Sequence, residues 1–335
     1  MSGAAIPGTE LQLAVLDDYQ GAAERCADWS RLPPHVKPTF FHENVSADRE
    51  ALVKRLLPFD IICLMRERTR LDREVLSGLP KLKLLTTSAM VNASVDIAFA
   101  HERGVPVCGT GAIETGTPEL TWALLLALAR NLTGEASGLK AGRWQASVGR
   151  DLYGAVLGVV GLGRVGSRVA AVGKAFGMKV LAWSQNLTAE RATACGAQLA
   201  SREQIFSQAD FLTLTLKLSN RTMGIIGAQD LARMKPSACF INTARAQLVD
   251  EAALVEVLRE RRIAGAAIDV FLQEPLPPDH PYRSLDNVLL TPHIGYVTHD
   301  TYAQFYGEML DNVLAWLDGN PIRVIDPTHS HFRLI

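Results

Sequence analysis

The chain has no cysteine pair at metal-binding or disulfide spacing, no long apolar run and no excess of charge of one sign. Its five cysteines, Cys26, Cys63, Cys108, Cys195 and Cys239, are scattered, odd in number and form no CxxC. A disulfide frame and a zinc site are both excluded as expectations, and free thiols in a reducing cytoplasm fit better. Lys and Arg total 34 against 35 Asp and Glu, a formal charge of -1. That balance gives no broad basic field for nucleic acid or anionic lipid. The densest apolar stretch, Trp122 to Ala129, is far too short to cross a bilayer. The opening residues lack a basic segment followed by an apolar core, so no secretory signal is expected.

What is present is a folding composition. Hydrophobic residues make up 48% of the 335 and charged residues 21%, so the chain can bury sizeable cores. Its length predicts two domains. Strands are expected at Leu11 to Leu16, Lys37 to Phe41, Ile61 to Met65, Lys83 to Thr87 and Val105 to Cys108, with helices at Asp48 to Leu57 and Val95 to Arg103. Pro38 restricts the second of these strands to a sheet edge or a strand start. Strand and helix in alternation predict a mostly parallel α/β sheet.

Thr117-Pro118-Glu119 then reads as a helix start, with Thr117 as N-cap, Pro at the first helical position and an acid in the first turn. The helix body LTWALLLALARNL is apolar almost all round, which predicts burial between domains or against another subunit. From Gly154 a second series of strand candidates follows: AVLGVVGLG, KVLAWS, DFLTLTL, CFINTA, GAAIDVF and NVLLTPH. Six of them make a full doubly wound domain. His299 to Asp318 has helical spacing, with an apolar stripe of Tyr302, Phe305, Tyr306, Met309, Val313, Trp316 and Leu317.

Gly161-Leu-Gly163-Arg164-Val165-Gly166 is a G-x-G-x-x-G. Alone the pattern is weak. Here the apolar run Val156 to Val160 leads into it and Ser167 to Phe176 continues as a helix, the order that dinucleotide binding needs. The first glycine permits the tight turn, the second lets backbone approach a pyrophosphate, and the third lets helix and strand pack closely. The helix start then offers unpaired N–H groups and a partial positive charge. Arg164 could assist the phosphates or be a solvated surface residue. The next strand ends at Ser184, where an acid would bind the ribose of NAD. Nothing there repels a 2′-phosphate and no Arg follows at once, so the choice between NAD and NADP stays open, with dual or NADP-tolerant use expected.

Three further segments, INTARAQLVD from Ile241, AIDVFLQEP from Ala267 and LTPHIG from Leu290, carry Arg245, then Asp269 and Glu274 five apart, then His293. With the glycine turn they resemble the D-isomer-specific 2-hydroxyacid dehydrogenase family. The residue types suit that chemistry. A 2-oxo acid under reduction needs a cation for its carboxylate and carbonyl, and a guanidinium offers paired donors. It needs a general acid able to work near neutrality, for which His is the natural choice. The His needs a carboxylate to orient its ring and stabilise the cation. Taken singly, each residue could equally be ordinary: a surface Arg, a Glu-Pro turn, a buried His. The remaining histidines, His35, His42, His101, His280, His299, His329 and His331, read as surface or packing residues.

The resemblance implies a Rossmann-type doubly wound domain, residues 108–296, inserted into a smaller flavodoxin-like α/β substrate domain made of residues 1–107 and 297–335. Hinges would fall near Val107 to Thr110 and Pro292 to Thr298. It also implies Arg245 as substrate anchor, His293 as acid/base, Glu274 as its orienting partner, and Asp269 beside the nicotinamide. Val165, Leu216, Thr243, Ala244 and Gly295 join the glycine turn, Arg164 and Ser184 as cofactor-binding candidates. The substrate would be a small 2-oxo or 2-hydroxy acid of D configuration, no metal is implied, and a homodimer through the cofactor domain is expected. The competing expectation is a protein of the same fold that senses dinucleotides, as corepressors resembling this family do.

The sequence departs from the family pattern at several places. Ala246 follows Arg245 where Gly is usual, which would be strained if the position needs a positive φ. Thr215 stands where many relatives carry His. The loop that offers backbone N–H groups to the substrate carboxylate reads Ala89-Met90-Val91, bulkier than the usual Gly-x-Gly. Arg66 and Arg68 could reach an anionic substrate, though loop arginines are more often solvated.

Overall fold

The computed structural model describes residues 10–329. The first nine and last six residues, His331 among them, lie outside that range. The chain divides into two compact units, one made of the residues up to Ile113 together with those from Val297 on, the other of Glu114–Tyr296.

The first unit runs β1 (Leu11–Val15), α1 (Ala23–Cys26), β2 (Val36–Phe40), α2 (Arg49–Leu56), β3 (Ile61–Leu64), α3 (Arg73–Ser77), β4 (Leu84–Thr87), α4 (Ile97–Glu102) and β5 (Val107–Cys108). Its sheet has the order β2-β1-β3-β4-β5, with every pairing parallel. Pro38 lies in β2, an edge strand, where its missing N–H costs no ladder bond. β3 and β4 are buried along their whole length, as strands covered on both faces are. Asp48, Asp72 and Asp96 cap α2, α3 and α4 by accepting backbone N–H groups. β5 belongs to this sheet, so the crossing into the second unit comes only after Ile113.

The chain returns to this unit at its end. Ile325 donates its N–H to Val107 O, Gly109 to Arg323 O, and Cys108 bridges Val324. The last helix, α12 (His299–Leu317), buries Tyr302, Phe305, Tyr306, Met309, Leu310, Val313 and Trp316, the expected stripe with Leu310 added and Leu317 only half-buried. Asn312 on the same face donates to Gly109 O and accepts from Arg323 Nε.

The second unit runs α5 (Gly116–Arg130), α6 (Leu132–Lys140), β6 (Val156–Val160), α7 (Arg164–Ala175), β7 (Lys179–Trp183), α8 (Ala189–Ala194), β8 (Gln198–Leu199), α9 (Arg202–Gln208), β9 (Phe211–Leu214), α10 (Ala228–Leu231), β10 (Cys239–Asn242), α11 (Glu251–Arg259), β11 (Gly265–Ile268) and β12 (Val288–Leu290). The sheet order is β12-β11-β10-β9-β6-β7-β8, all parallel. This is the doubly wound order, with its switch between β6 and β9. β8 was not expected. It has only two residues, both exposed, and carries no alternation to read.

Two features of α5 differ from expectation. The helix opens at Gly116, so Thr117 is inside it and Thr115 precedes it without a side-chain cap. The Thr117 hydroxyl is engaged elsewhere, as described below. The helix is also buried on one face only. Trp122, Leu124, Leu125 and Ala129 are covered by β10, β11 and α7, and Trp122 stacks on Phe176. Leu120, Leu126 and Leu128 are half-buried and Ala123 is exposed. Among the described residues no helix is long and apolar enough to cross a membrane.

Candidate active site

Because all seven strands of the second sheet are parallel, their C-terminal ends share one edge. The turns along that edge carry, in spatial order, His293 after β12, Asp269 and Glu274 after β11, Thr243 to Arg245 after β10, Leu216 after β9, Gly161 to Gly166 after β6 and Ser184 after β7. In doubly wound sheets ligands bind at this edge, at the switch point.

The glycine turn shows why each glycine is needed. Gly161 has φ +104, and a Cβ there would lie 2.8 Å from Leu216 N. At Gly166 a Cβ would lie 2.1 Å from Gly161 O, so α7 packs too closely on the turn for any side chain. Gly163 differs, because a Cβ there would meet nothing within 4 Å. The space beside it at the start of α7 is open, which leaves the backbone free for the close approach that a pyrophosphate at a helix start requires. Thr215, in place of a relative's His, donates its hydroxyl to Gly161 O and ties the β9 turn to the glycine turn. Arg164 is exposed and its guanidinium lies 3.0 Å from Glu114 Oε1. Ser184 is half-buried at the end of β7, followed by exposed Gln185 and Asn186, with no carboxylate in the run.

On the other side of the switch, Glu274 and His293 form a hydrogen-bonded pair, Nδ1 to Oε2 2.7 Å. A carboxylate only accepts, so the proton of that bond is on Nδ1 and Nε2 is left for other work. Glu274 is itself fixed, because Oε1 accepts the N–H of Phe271 at 2.9 Å. The imidazole meets the ring of Tyr296 edge-on at 5.5 Å. His293 has φ +52, a left-handed backbone unusual for a residue with a side chain.

Asp269 explains how that conformation is held. It is fully buried, and its carboxylate accepts from Thr291 Oγ1 at 2.6 Å, Ile294 N at 2.9 Å and Gly295 N at 3.0 Å. The three donors flank His293 on both sides in sequence. Burial pushes the Asp269 carboxyl above its ordinary value, while these bonds and the nearby His293 pull the other way. The resemblance places this residue beside the nicotinamide; its oxygens are engaged by the loop that carries the histidine. Asp269 and Thr291 are both legible in the sequence, but nothing in their spacing of 22 residues announces the bond.

Arg245 follows β10 in extended conformation and is half-buried. Its loop is pinned by buried Asn242, whose Nδ2 donates to Arg245 O and whose Oδ1 accepts from Ala244 N. The guanidinium donates to Ala244 O at 2.7 Å. Ala246 opens a short 3-10 turn, Ala246–Leu248, and is not among the positive-φ residues. The strain anticipated at this position therefore does not arise, and alanine fits without a left-handed backbone.

Within the first unit, Ala89 has φ +67, and Met90 and Val91 are exposed. Gly109 lies under this loop, where a Cβ would come within 2.9 Å of Met90 Cα. Arg68 is built into its own unit, donating to Asp17 O and Tyr302 OH and lying over the Tyr19 ring. Arg66 has φ +54, and its N–H is taken by Ser88 Oγ.

Residues 122–295 match the family model described as D-isomer specific 2-hydroxyacid dehydrogenase, NAD binding domain. A glyoxylate reductase of Korarchaeum cryptofilum is 32% identical over 298 residues, covering 87% of this chain and 89% of that protein. The chain belongs to the D-isomer-specific 2-hydroxyacid dehydrogenase family. Solved members are close in shape. A chain from Ralstonia solanacearum is 38% identical with a TM-score of 0.89, covering 95% of this chain and 97% of its own length. A phosphoglycerate oxidoreductase from Vibrio cholerae is 37% identical with a TM-score of 0.86, covering 92% and 99%. As a member of this family the chain is an oxidoreductase with a nicotinamide-dinucleotide-binding Rossmann domain.

Proposed function

We propose that the protein interconverts a small 2-oxo acid and the corresponding D-2-hydroxy acid. The observation that carries this reading is the Glu274–His293 pair at the same sheet edge as Arg245 and the glycine turn. The cofactor, held at Gly161, Gly163 and Gly166 with Val165, Leu216, Thr243, Ala244 and Gly295 along the edge, supplies or accepts hydride when bound. His293 Nε2 gives the proton to the carbonyl oxygen during reduction and takes it back in the other direction. Glu274 keeps the ring in one tautomer and stabilises its cation. Arg245 receives the substrate carboxylate and carbonyl, with two donors in one plane.

Ser184 supports use of NADP as well as NAD, since the end of β7 presents a hydroxyl and amides in place of a carboxylate that would repel a 2′-phosphate. The cofactor domain exposes several large apolar side chains after α5: Leu139, Trp144, Val148 and Tyr153, the last three 77%, 98% and 86% exposed. Exposed apolar side chains in this number support a homodimer through the cofactor domain. Trp144→Glu with Val148→Glu should then give a monomer in light scattering.

The deciding assay is oxidation of NADH and of NADPH at 340 nm against glyoxylate, hydroxypyruvate, pyruvate and bulkier 2-oxo acids. Turnover of at least one of these, lost on His293→Ala with cofactor binding intact, is the expected result. A folded His293→Ala protein with wild-type rates overturns the assignment. Cofactor binding without turnover of any 2-oxo acid would favour the dinucleotide-sensing alternative.

A further inference from the structure

Helix α5 contributes none of the residues assigned above, yet its first two turns are hydrogen-bonded to both loops that matter. Thr117 and Thr121 are four apart and lie on one face of the helix. Thr121 is fully buried, and its hydroxyl donates to Thr117 O at 2.8 Å. It also lies 2.7 Å from the hydroxyl of buried Thr243. A hydroxyl has one proton to give, so Thr243 is the donor in that second bond. Thr243 is two residues before Arg245.

The other end of the brace is Thr117. Its hydroxyl donates to Gly295 O at 3.3 Å, and Gly295 is two residues after His293. The N–H of the same glycine goes to Asp269 Oδ2. Gly295 is held between the two, since a Cβ there would lie 3.2 Å from Thr117 Oγ1 and 3.3 Å from Asp269 Oδ2. A continuous hydrogen-bonded path thus runs from the Arg245 loop through Thr243, Thr121, Thr117 and Gly295 to the His293 loop. These bonds join segments more than 100 residues apart, and they fix two loops that follow different strands against one rigid helix.

We propose that Thr117 and Thr121 are positioning residues that set the Arg245 and His293 loops against each other. The proposal rests on the assignment of Arg245 as anchor and His293 as acid/base. Misplacement of a reacting group by even an ångström is costly, so loss of either hydroxyl is felt in turnover although neither need touch substrate. The two ends predict different effects. Thr121 and Thr243 hold the anchor, so their loss weakens substrate capture. Thr117 holds the proton donor's loop, so its loss slows the chemical step.

The test is a set of isosteric variants of the full chain, each measured for kcat, KM and cofactor affinity by NADH or NADPH fluorescence. Thr121→Val is expected to raise the KM of the 2-oxo acid about tenfold with a smaller change in kcat. Thr243→Val removes the same bond from its other end and should give the same split. Thr117→Val is expected to lower kcat about tenfold with little change in KM, and to shift the acid/base limb of the pH–rate profile. Cofactor affinity should stay within about twofold in Thr117→Val and Thr121→Val, the two variants outside the cofactor-holding residues, and Thr121→Ser should restore wild-type values. Wild-type kcat and KM in the folded Thr117→Val and Thr121→Val variants overturn the proposal, as does a fall in their cofactor affinity that parallels the fall in activity, which marks general loosening. Arg245→Ala and His293→Ala run alongside separate the two readings: if these retain activity the site assignment fails, whereas if they are inactive and the valine variants are normal only the brace fails.

Discussion

The glycine turn allows folding and cofactor binding to be pulled apart by single methyl groups. At Gly166 an added Cβ would sit 2.1 Å from Gly161 O and 2.7 Å from Thr215 Oγ1. The nearer atom is backbone and cannot swing aside, so the cost lies toward the upper end of the overpacking range, about 3 kcal/mol. Alanine in a helix recovers about 1 kcal/mol over glycine. The net loss for Gly166→Ala is about 2 kcal/mol, or a fall in Tm of about 4–8 °C for a domain of this size. At Gly163 the same methyl meets nothing within 4 Å, and φ is −88, which any residue adopts. Replacing a glycine N-cap by alanine costs about 0.5–1 kcal/mol, so Gly163→Ala should melt within about 4 °C of wild type. Its methyl instead fills the space that a pyrophosphate needs, and cofactor affinity should fall tenfold or more, about 1.4 kcal/mol. Scanning fluorimetry without cofactor and fluorescence titration with NADH and NADPH measure the two effects separately. A folded Gly163→Ala protein that binds both cofactors as tightly as wild type would refute the placement of the pyrophosphate at this turn.

Three other outcomes follow from the geometry. Glu274→Gln leaves Phe271 N–H its acceptor only if the amide oxygen turns toward it, which sets an NH₂ against Nδ1 of His293; kcat should fall about 10²-fold or more, with cofactor affinity unchanged by titration. Asp17 is buried at the end of β1, and burial raises its carboxyl pKa, so the stability it contributes is whole below its ordinary value of 3.8 and is lost as pH rises through the folded value. Asp17→Asn keeps an acceptor for Asn44 and a partner for Thr69 and suits the left-handed φ of +60, so it should raise Tm at pH 7 to 8, with the gain vanishing below about pH 4, as followed by calorimetry. Cys63, Cys108 and Cys239 are buried, with thiols pushed well above the ordinary range, the latter two to about 11; a thiol reagent at pH 8 should label only Cys26 and Cys195 until the chain is unfolded, as counted by mass spectrometry.

Much of the fold is legible before any coordinates, because it is written in local patterns. Strands buried on both faces read as near-continuous apolar runs: Ile61–Leu64 is apolar throughout, and Phe211–Leu214 and Cys239–Asn242 are apolar but for Thr213 and Asn242. The strand, glycine turn and helix at 156–175 carry their own order, and the stripe on α12 follows the helical period. Pro38 narrowed its strand to an edge or a strand start, and the strand is an edge. The residues of the candidate site are also visible as types and spacings, since Arg, Glu and His are the groups that bind an anion and move a proton. Local reading failed where the deciding partner lies far along the chain. Thr117 has the look of an N-cap, but its hydroxyl is claimed by Gly295, 178 residues on. Whether Ala246 needs a positive φ could not be read from the sequence, and the backbone there is helical.

The sequence by itself settled what kinds of chemistry the chain can carry, because residue identity, the glycine spacing and hydrophobic period are properties of short segments. The tertiary structure alone decided how those groups are held. Only folding brings Asp269 under the His293 loop and lays one helix face against Thr243 and Gly295. It is also folding that separates the three glycines into two that the chain itself needs and one, Gly163, that leaves room for a ligand. Such contacts depend on the packing of distant strands, and no window of sequence contains both of their ends.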